Sequence, residues 1–137
     1  MINPETIAQI DIVVQALVLA IVLAGAYQAL VKKRLIRHCR IIRVAMVIQL
    51  LTVLFRMLPA LVTNLRNPGQ APFEGEMLLH HSLGVLLILL FVYISLAVAG
   101  WVRVAGPLAW YMRTALIIWS VVFMIGIHLY TRIYGFP

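Results

Sequence analysis

Four long apolar stretches dominate the pattern of hydrophobic and polar positions along this chain. They cover residues 12–31, 44–62, 82–102 and 114–131, and the second carries a single charged residue, Arg56. Each stretch is close to the length that crosses about 30 Å of hydrocarbon at about 1.5 Å per helical residue. The pattern therefore predicts an all-α integral membrane protein, with four transmembrane helices in one domain that spans residues 1–137.

Basic residues gather in the connection between the first and second spans. Residues 32–43 hold six of the eleven lysines and arginines, and the third connection adds Arg103 and Arg113. The positive-inside rule places both connections in the cytoplasm. All four acidic residues then lie outside, together with both termini. Because short connections make successive helices antiparallel neighbours, we expect an up-down-up-down bundle among the lipids of the cytoplasmic membrane.

The composition argues against the common soluble classes. Hydrophobic residues make up 64% of the chain and charged residues 11%, with a mean hydropathy of +1.06, whereas soluble domains carry about 25% charged residues. The net charge of +7 is explained by topology, so no nucleic-acid partner is expected. With one cysteine, Cys39, the chain cannot form an internal disulfide.

Candidate functional residues are the polar groups that remain at membrane depth, because burying such groups is costly without a partner. They are Arg56, His80, His81 and His128, with His38 at the inner boundary. Serine, threonine and glutamine residues in the spans are better explained as interhelical hydrogen-bonding groups. There is no acid–base pair at depth and no Ser-His-Asp set, which argues against a hydrolytic or transfer enzyme.

His81 and His128 are predicted to lie at similar depth on neighbouring antiparallel helices. Each is within about two helical turns of the outer surface, so their imidazoles could ligate a b-type haem in the bundle core, near the outer face. Gly84, on the same face as His81, would let a flat macrocycle approach the backbone. Arg56 and Arg66 are then candidates to neutralise the haem propionates.

Copper is the alternative cofactor for the same region. Met77, His80 and His81 share one helical face at i, i+3 and i+4, and Met124 shares another face with His128. Thioether with imidazole is the ligand mix that selects copper. The sequence therefore admits a copper-handling protein as well as a haem protein for electron transfer or haem handling.

A third interpretation needs no cofactor. His80 and His81 would be interfacial residues bonded to Glu74, Glu76 or lipid headgroups, and Arg56 would extend outward to a phosphate or to Glu76. The chain would then be an accessory subunit of a larger membrane complex. The basic cluster around the first connection would fix topology and bind anionic lipid, at about 1 kcal/mol per residue.

The order of spans, loops and histidines also carries information. A histidine stands in the basic first loop, a histidine pair opens the third span, and a tryptophan and a glycine follow in the fourth, at His38, His80, His81, Trp119 and Gly126. Over nearly the whole chain this order resembles the YozB/CtaM-type four-helix membrane proteins. The resemblance implies a role in maturation of haem-copper cytochrome oxidase in a prokaryote, with His38 and His81, or His80, handling haem or copper. It implies a respiratory oxidase as partner.

Overall fold

The computed structural model describes residues 3–67, 69 and 73–135, and these residues form helices without strands. The elements are α1 (Pro4–Leu30), α2 (Leu35–Thr52), a π-helical turn (Val53–Met57), α3 (Leu58–Arg66), α4 (Glu74–Val98) and α5 (Leu108–Tyr134). Because α2, the π turn and α3 are continuous, the described residues form four helical segments that are long and apolar enough to cross a membrane. This confirms the all-helical class and indicates a multi-pass membrane protein.

The helices extend beyond the apolar stretches that predicted them. α1 begins eight residues before the stretch at residue 12, and the Asn3 side chain caps it by accepting a hydrogen bond from the Glu5 backbone N–H at 3.2 Å. α2 begins at Leu35, so much of the predicted basic connection is helical, and residues 31–34 make the turn. Apolar periodicity marks only the part of a helix in hydrocarbon, whereas backbone hydrogen bonds continue it into the polar interface.

A π turn interrupts the second span, and the apolar pattern of the sequence does not predict it. The Leu58 N–H bonds to the Val53 carbonyl, five residues back. Pro59 follows directly, and a proline can neither donate to the carbonyl four residues back nor avoid crowding it. The π turn therefore lies directly before the proline, where the i to i−4 hydrogen bonds of a regular α-helix cannot continue.

Two helix pairs provide most of the packing: α1 lies against α2, and α4 lies against α5, with further contacts between α1 and α5 and between α3 and α4. Small side chains at Ala45 and Ala115 let the helices approach around the largest buried side chain, Trp119. Phe91 packs on Trp119 in an edge-to-face arrangement at 5.3 Å between ring centroids. Aromatic pairs of this geometry add to the stabilisation from burial alone.

His38 ties the first two helices together. Its Nδ1 lies 2.9 Å from the Gly25 carbonyl oxygen of α1. Gly25 is buried, and a Cβ there would come within 2.9 Å of the Ile42 side chain, so glycine permits this close approach. Within the basic cluster, His38 thus serves packing between α1 and α2.

The two ends of the bundle differ in charge. One end, here called the acidic end, holds the contacts between the start of α1, the end of α5, the π turn and the start of α4: Gln9 to Tyr130, Asp11 to Arg56, and Glu76 to Arg132. The other, the basic end, holds the turn at residues 31–34 and the connection between α4 and α5. Of the connection between α3 and α4, Pro68 and residues 70–72 lie outside the described residues; Gly69 N–H donates to Glu74 Oε2 at 2.7 Å.

Hydroxyl groups in the spans mostly bond within their own helix. Thr52 and Ser120 donate to the carbonyl oxygens of Ile48 and Leu116, four residues back. The prediction of interhelical bonds was wrong for these two residues, because the nearest acceptor for such a hydroxyl is its own helix backbone.

Candidate functional site

A cavity of about 290 Å³ lies near the acidic end, lined by residues of α1, α2, the π turn, α3, α4 and α5. We call it the acidic-end cavity. Much of its lining is apolar. Its polar and sulfur-bearing lining residues are Asp11, Gln15, Gln49, Thr52, Arg56, Met57, Met77, His80, His81, Tyr130 and Tyr134.

Two of these polar side chains are more than nine-tenths buried. His81 is 7% exposed and Gln49 is 4% exposed. Within the described part of the chain, His81 Nδ1 and Gln49 Oε1 have no hydrogen-bond partner. A buried polar atom left unpaired costs about 1–3 kcal/mol, so both side chains have unused bonding capacity beside the cavity.

His80 lies beside His81 and faces α5. Its Cε1 would be 3.1 Å from a Cβ built on Gly126, so the ring rests against the α5 backbone. The His80 and His81 rings meet edge to face, with 5.6 Å between centroids. Although the sequence could not decide which of the two turns inward, the structure places both at the cavity.

Two methionine side chains complete this face of the cavity. Met57, from the π turn, packs over Gly84, where an added Cβ would lie 2.7 Å from the Met57 sulfur. Met77 lies on α4 one turn before His80 and His81, so it shares their helical face. Two thioethers and two imidazoles therefore line a single cavity.

Arg56 is paired with an acid of α1. Its Nη2 lies 2.9 Å from Asp11 Oδ2, and its Nε lies 3.1 Å from the same oxygen. Both side chains are partly exposed, at 47% for Arg56 and 35% for Asp11. The interpretation in which Arg56 extends to Glu76 was wrong, because Asp11 on the facing helix offers a nearer carboxylate.

His128 and Arg66 lie outside the lining of the acidic-end cavity. The His128 side chain is 58% exposed, and its Nε2 is 3.5 Å from Glu76 Oε2. Arg132 donates to the other oxygen of Glu76 at 2.8 Å. Arg66 is the exposed last residue of α3. His81 and His128 therefore have different surroundings here, and a haem held between them stays a prediction.

Met57, Asp11 and Gln49 were missed by the sequence analysis. Asp11 was expected to lie outside with the other acidic residues, and Gln49 was expected to make interhelical hydrogen bonds. Met57 had a usable signal: it follows the charged Arg56 and precedes Pro59 by two residues, which places it beside a disturbed helical turn.

The ligand types restrict which metal the cavity could take. Over residues 3–67, 69 and 73–135, no group of three or more His, Cys, Asp or Glu side chains is placed to hold a metal ion. A metal at the acidic-end cavity would therefore need the methionine sulfurs in addition to His80 and His81. Thioethers are poor ligands for zinc, calcium or magnesium and good ligands for Cu(I).

Comparison of the chain with protein-family models, with curated proteins and with solved structures finds no match. The resemblance to the YozB/CtaM-type proteins stays a prediction, and the fold and the cavity are the basis for a functional proposal.

Proposed function

We propose that this chain is a copper-handling membrane protein that binds one Cu(I) ion in the acidic-end cavity, through His80, His81, Met57 and Met77. The observation that supports it is that two imidazoles and two thioethers line the same cavity. On the implied relationship to YozB/CtaM-type proteins, the metal is handled for assembly of a respiratory oxidase.

Soft ligands in a largely apolar, partly open cavity favour the monovalent state of copper. Sulfur ligands and imidazole select Cu(I) over harder cations. His81 is buried, and its Nδ1 has no hydrogen-bond partner among the described residues. Coordination of copper by this nitrogen would offset the desolvation cost of leaving it unpaired. Gln49 and the Arg56–Asp11 pair form the polar remainder of the wall.

The cavity volume suits an ion better than a macrocycle. About 290 Å³ is at the lower limit of pockets that hold small organic ligands. Met57 also occupies the space next to Gly84 that a flat ring would need. A haem in this position would require Met57 to move away from α4.

The site would lie on the outer side of the cytoplasmic membrane. We place the basic end in the cytoplasm by the positive-inside rule, which puts the acidic end and both termini outside in an up-down-up-down bundle. The cavity then lies within reach of the outer surface, where it could receive or release the metal.

A b-type haem is the second candidate cofactor. The buried position of His81, one turn before Gly84, favours a haem, because an imidazole with an unpaired nitrogen can ligate haem iron. His128 would need to leave Glu76 and turn inward to become the second axial ligand. Haem and copper give different optical signatures, so one preparation can separate them.

Copper binding can be tested by competition with a coloured Cu(I) chelator, using purified protein in detergent under reducing conditions. We expect one Cu(I) per chain. His81→Ala and Met77→Leu should each weaken binding at least about tenfold, the change that corresponds to about 1.4 kcal/mol. Circular dichroism of each variant checks that the helices are intact.

Matched controls come from α5. His128→Ala and Met124→Leu replace residues of the same types outside the cavity lining, and both should keep wild-type affinity. Equal losses in these controls, or no copper above background in the wild type, would contradict the copper site. A sharp band in the reduced-minus-oxidised spectrum that disappears in His81→Ala would assign haem instead.

A further inference from the structure

A groove of about 270 Å³ lies toward the basic end, between α2 and α4. Its deeper wall includes the buried Phe91 and Ile94, and Ser95 Oγ contacts Met46 Sδ across it at 3.8 Å. Val47 and Val98 line it too and are more than half exposed. The groove is therefore apolar along most of its length and open to the surroundings of the bundle.

The charge at one end of the groove has no counterpart among the residues that the structure describes. Arg43 lines the groove near its basic end, beside His38 and Cys39. The four carboxylate side chains of the sequence belong to the starts of α1 and α4, at the opposite end. No ion pair to Arg43 is present in the described part of the chain. An external anion is the natural partner for this guanidinium.

The groove runs along much of one leaflet of a membrane. From Arg43 to Leu50, α2 rises about 10 Å at about 1.5 Å per residue, compared with about 15 Å for half of the hydrocarbon thickness. A molecule with an anionic head beside Arg43 and an alkyl chain along Met46 and Phe91 would fill it. These are the properties of a phospholipid from the leaflet at the basic end.

We propose that the groove between α2 and α4 is a selective site for an anionic phospholipid, with the phosphate at Arg43 and one acyl chain between the helices. The proposal is independent of copper binding at the other end. It goes beyond general attraction of basic residues to a charged surface, because it requires both one particular arginine and an open apolar groove.

Native mass spectrometry of the detergent-purified chain tests this, with phosphatidylglycerol and phosphatidylcholine of identical acyl chains as probes. We expect about fivefold more bound phosphatidylglycerol, from the strength of a single basic contact near a membrane surface. Arg43→Gln should abolish the preference. Val47→Trp, which fills the groove, should reduce binding of both lipids.

Two neighbouring positions serve as controls because they lie on α2 but outside the groove lining. Arg37→Gln removes the same charge, and Val44→Trp adds the same bulk. Both should behave as the wild type. Equal binding of the two lipids by the wild type, or equal losses in the control and groove variants, would overturn the site and leave nonspecific surface attraction.

Discussion

Arg56 and Asp11 carry opposite charges on two helical segments that each have the length and composition to cross a membrane. Each charge alone would be costly at membrane depth, but the 2.9 Å contact between Nη2 and Oδ2 allows each to neutralise the other. The pair also connects α1 to the π turn at the wall of the acidic-end cavity. Partial exposure of both side chains reduces its value relative to a fully buried pair.

A double-mutant cycle measures this contribution. Asp11→Asn and Arg56→Gln should each lower the free energy of unfolding in detergent, because each leaves one charge unpaired. The double variant should lose less than the sum, with a coupling of about 1 kcal/mol. Chemical denaturation monitored by circular dichroism gives the values. Losses that add within about 0.3 kcal/mol would contradict a stabilising pair.

Candidate residues could be predicted from the sequence more readily than their contacts. His80, His81 and Arg56 were recognised as polar groups at depth, and all three line one cavity. Their partners depend on helix rotation, which an almost uniformly apolar span does not encode. For that reason His128 was expected beside His81, whereas it contacts Glu76 on the exposed side.

The π turn is the element that brings the second span to the cavity. Within five residues it directs Arg56 toward α1 and Met57 toward Gly84 of α4. One extra residue in a turn rotates the side chains before it by about 100° about the helix axis, relative to those after it. The π turn therefore decides which side chains reach the cavity. π turns of this kind are frequent at functional sites.

Replacing Pro59 tests the role of this turn. Pro59→Ala restores a backbone N–H and should allow a regular α-helix, which moves Arg56 and Met57 relative to the cavity. We expect Cu(I) affinity to fall several-fold while helical content by circular dichroism stays unchanged. Pro107→Ala, at the basic end, is the control and should keep its affinity. Wild-type copper affinity in Pro59→Ala would show that the site does not depend on the π turn.

Helix number followed from the sequence, whereas helix ends and the π turn did not. Four apolar stretches were enough to predict four spans, because hydrocarbon requires continuous helices. The start of α2 at Leu35 could not be read from a stretch that includes Lys33, Arg34 and Arg37. The polar first turns of a helix at the membrane interface contain no apolar run from which their helical state could be predicted.

At the scale of the whole molecule, we expect charge separation to set the orientation in the membrane. The basic cluster at residues 32–43 and the acidic residues of α1 and α4 belong to opposite ends of the bundle. The positive-inside rule then predicts that the basic end is cytoplasmic. The copper proposal places its site at the opposite end, so the orientation of the chain decides from which side the metal arrives.

Cys39 reports this orientation directly, because it is the single cysteine of the chain and is exposed on α2. A membrane-impermeant maleimide should label it in inverted vesicles and not in right-side-out vesicles. In a Cys39→Ser background, Gly75→Cys at the start of α4 should give the reverse result; a Cβ at Gly75 meets no neighbour within 4 Å. Labelling of Cys39 from the outside would contradict the assigned topology.

X-ray absorption spectroscopy of the Cu(I)-loaded protein is the most direct test of the central claim. We predict a mixed shell of nitrogen and sulfur around copper, with the imidazole signal reduced in His81→Ala and the sulfur signal reduced in Met57→Leu and Met77→Leu. The spectrum of Met124→Leu should match the wild type. A shell of nitrogen and oxygen alone, unaffected by Met57→Leu and Met77→Leu, would contradict a copper site formed by the acidic-end cavity.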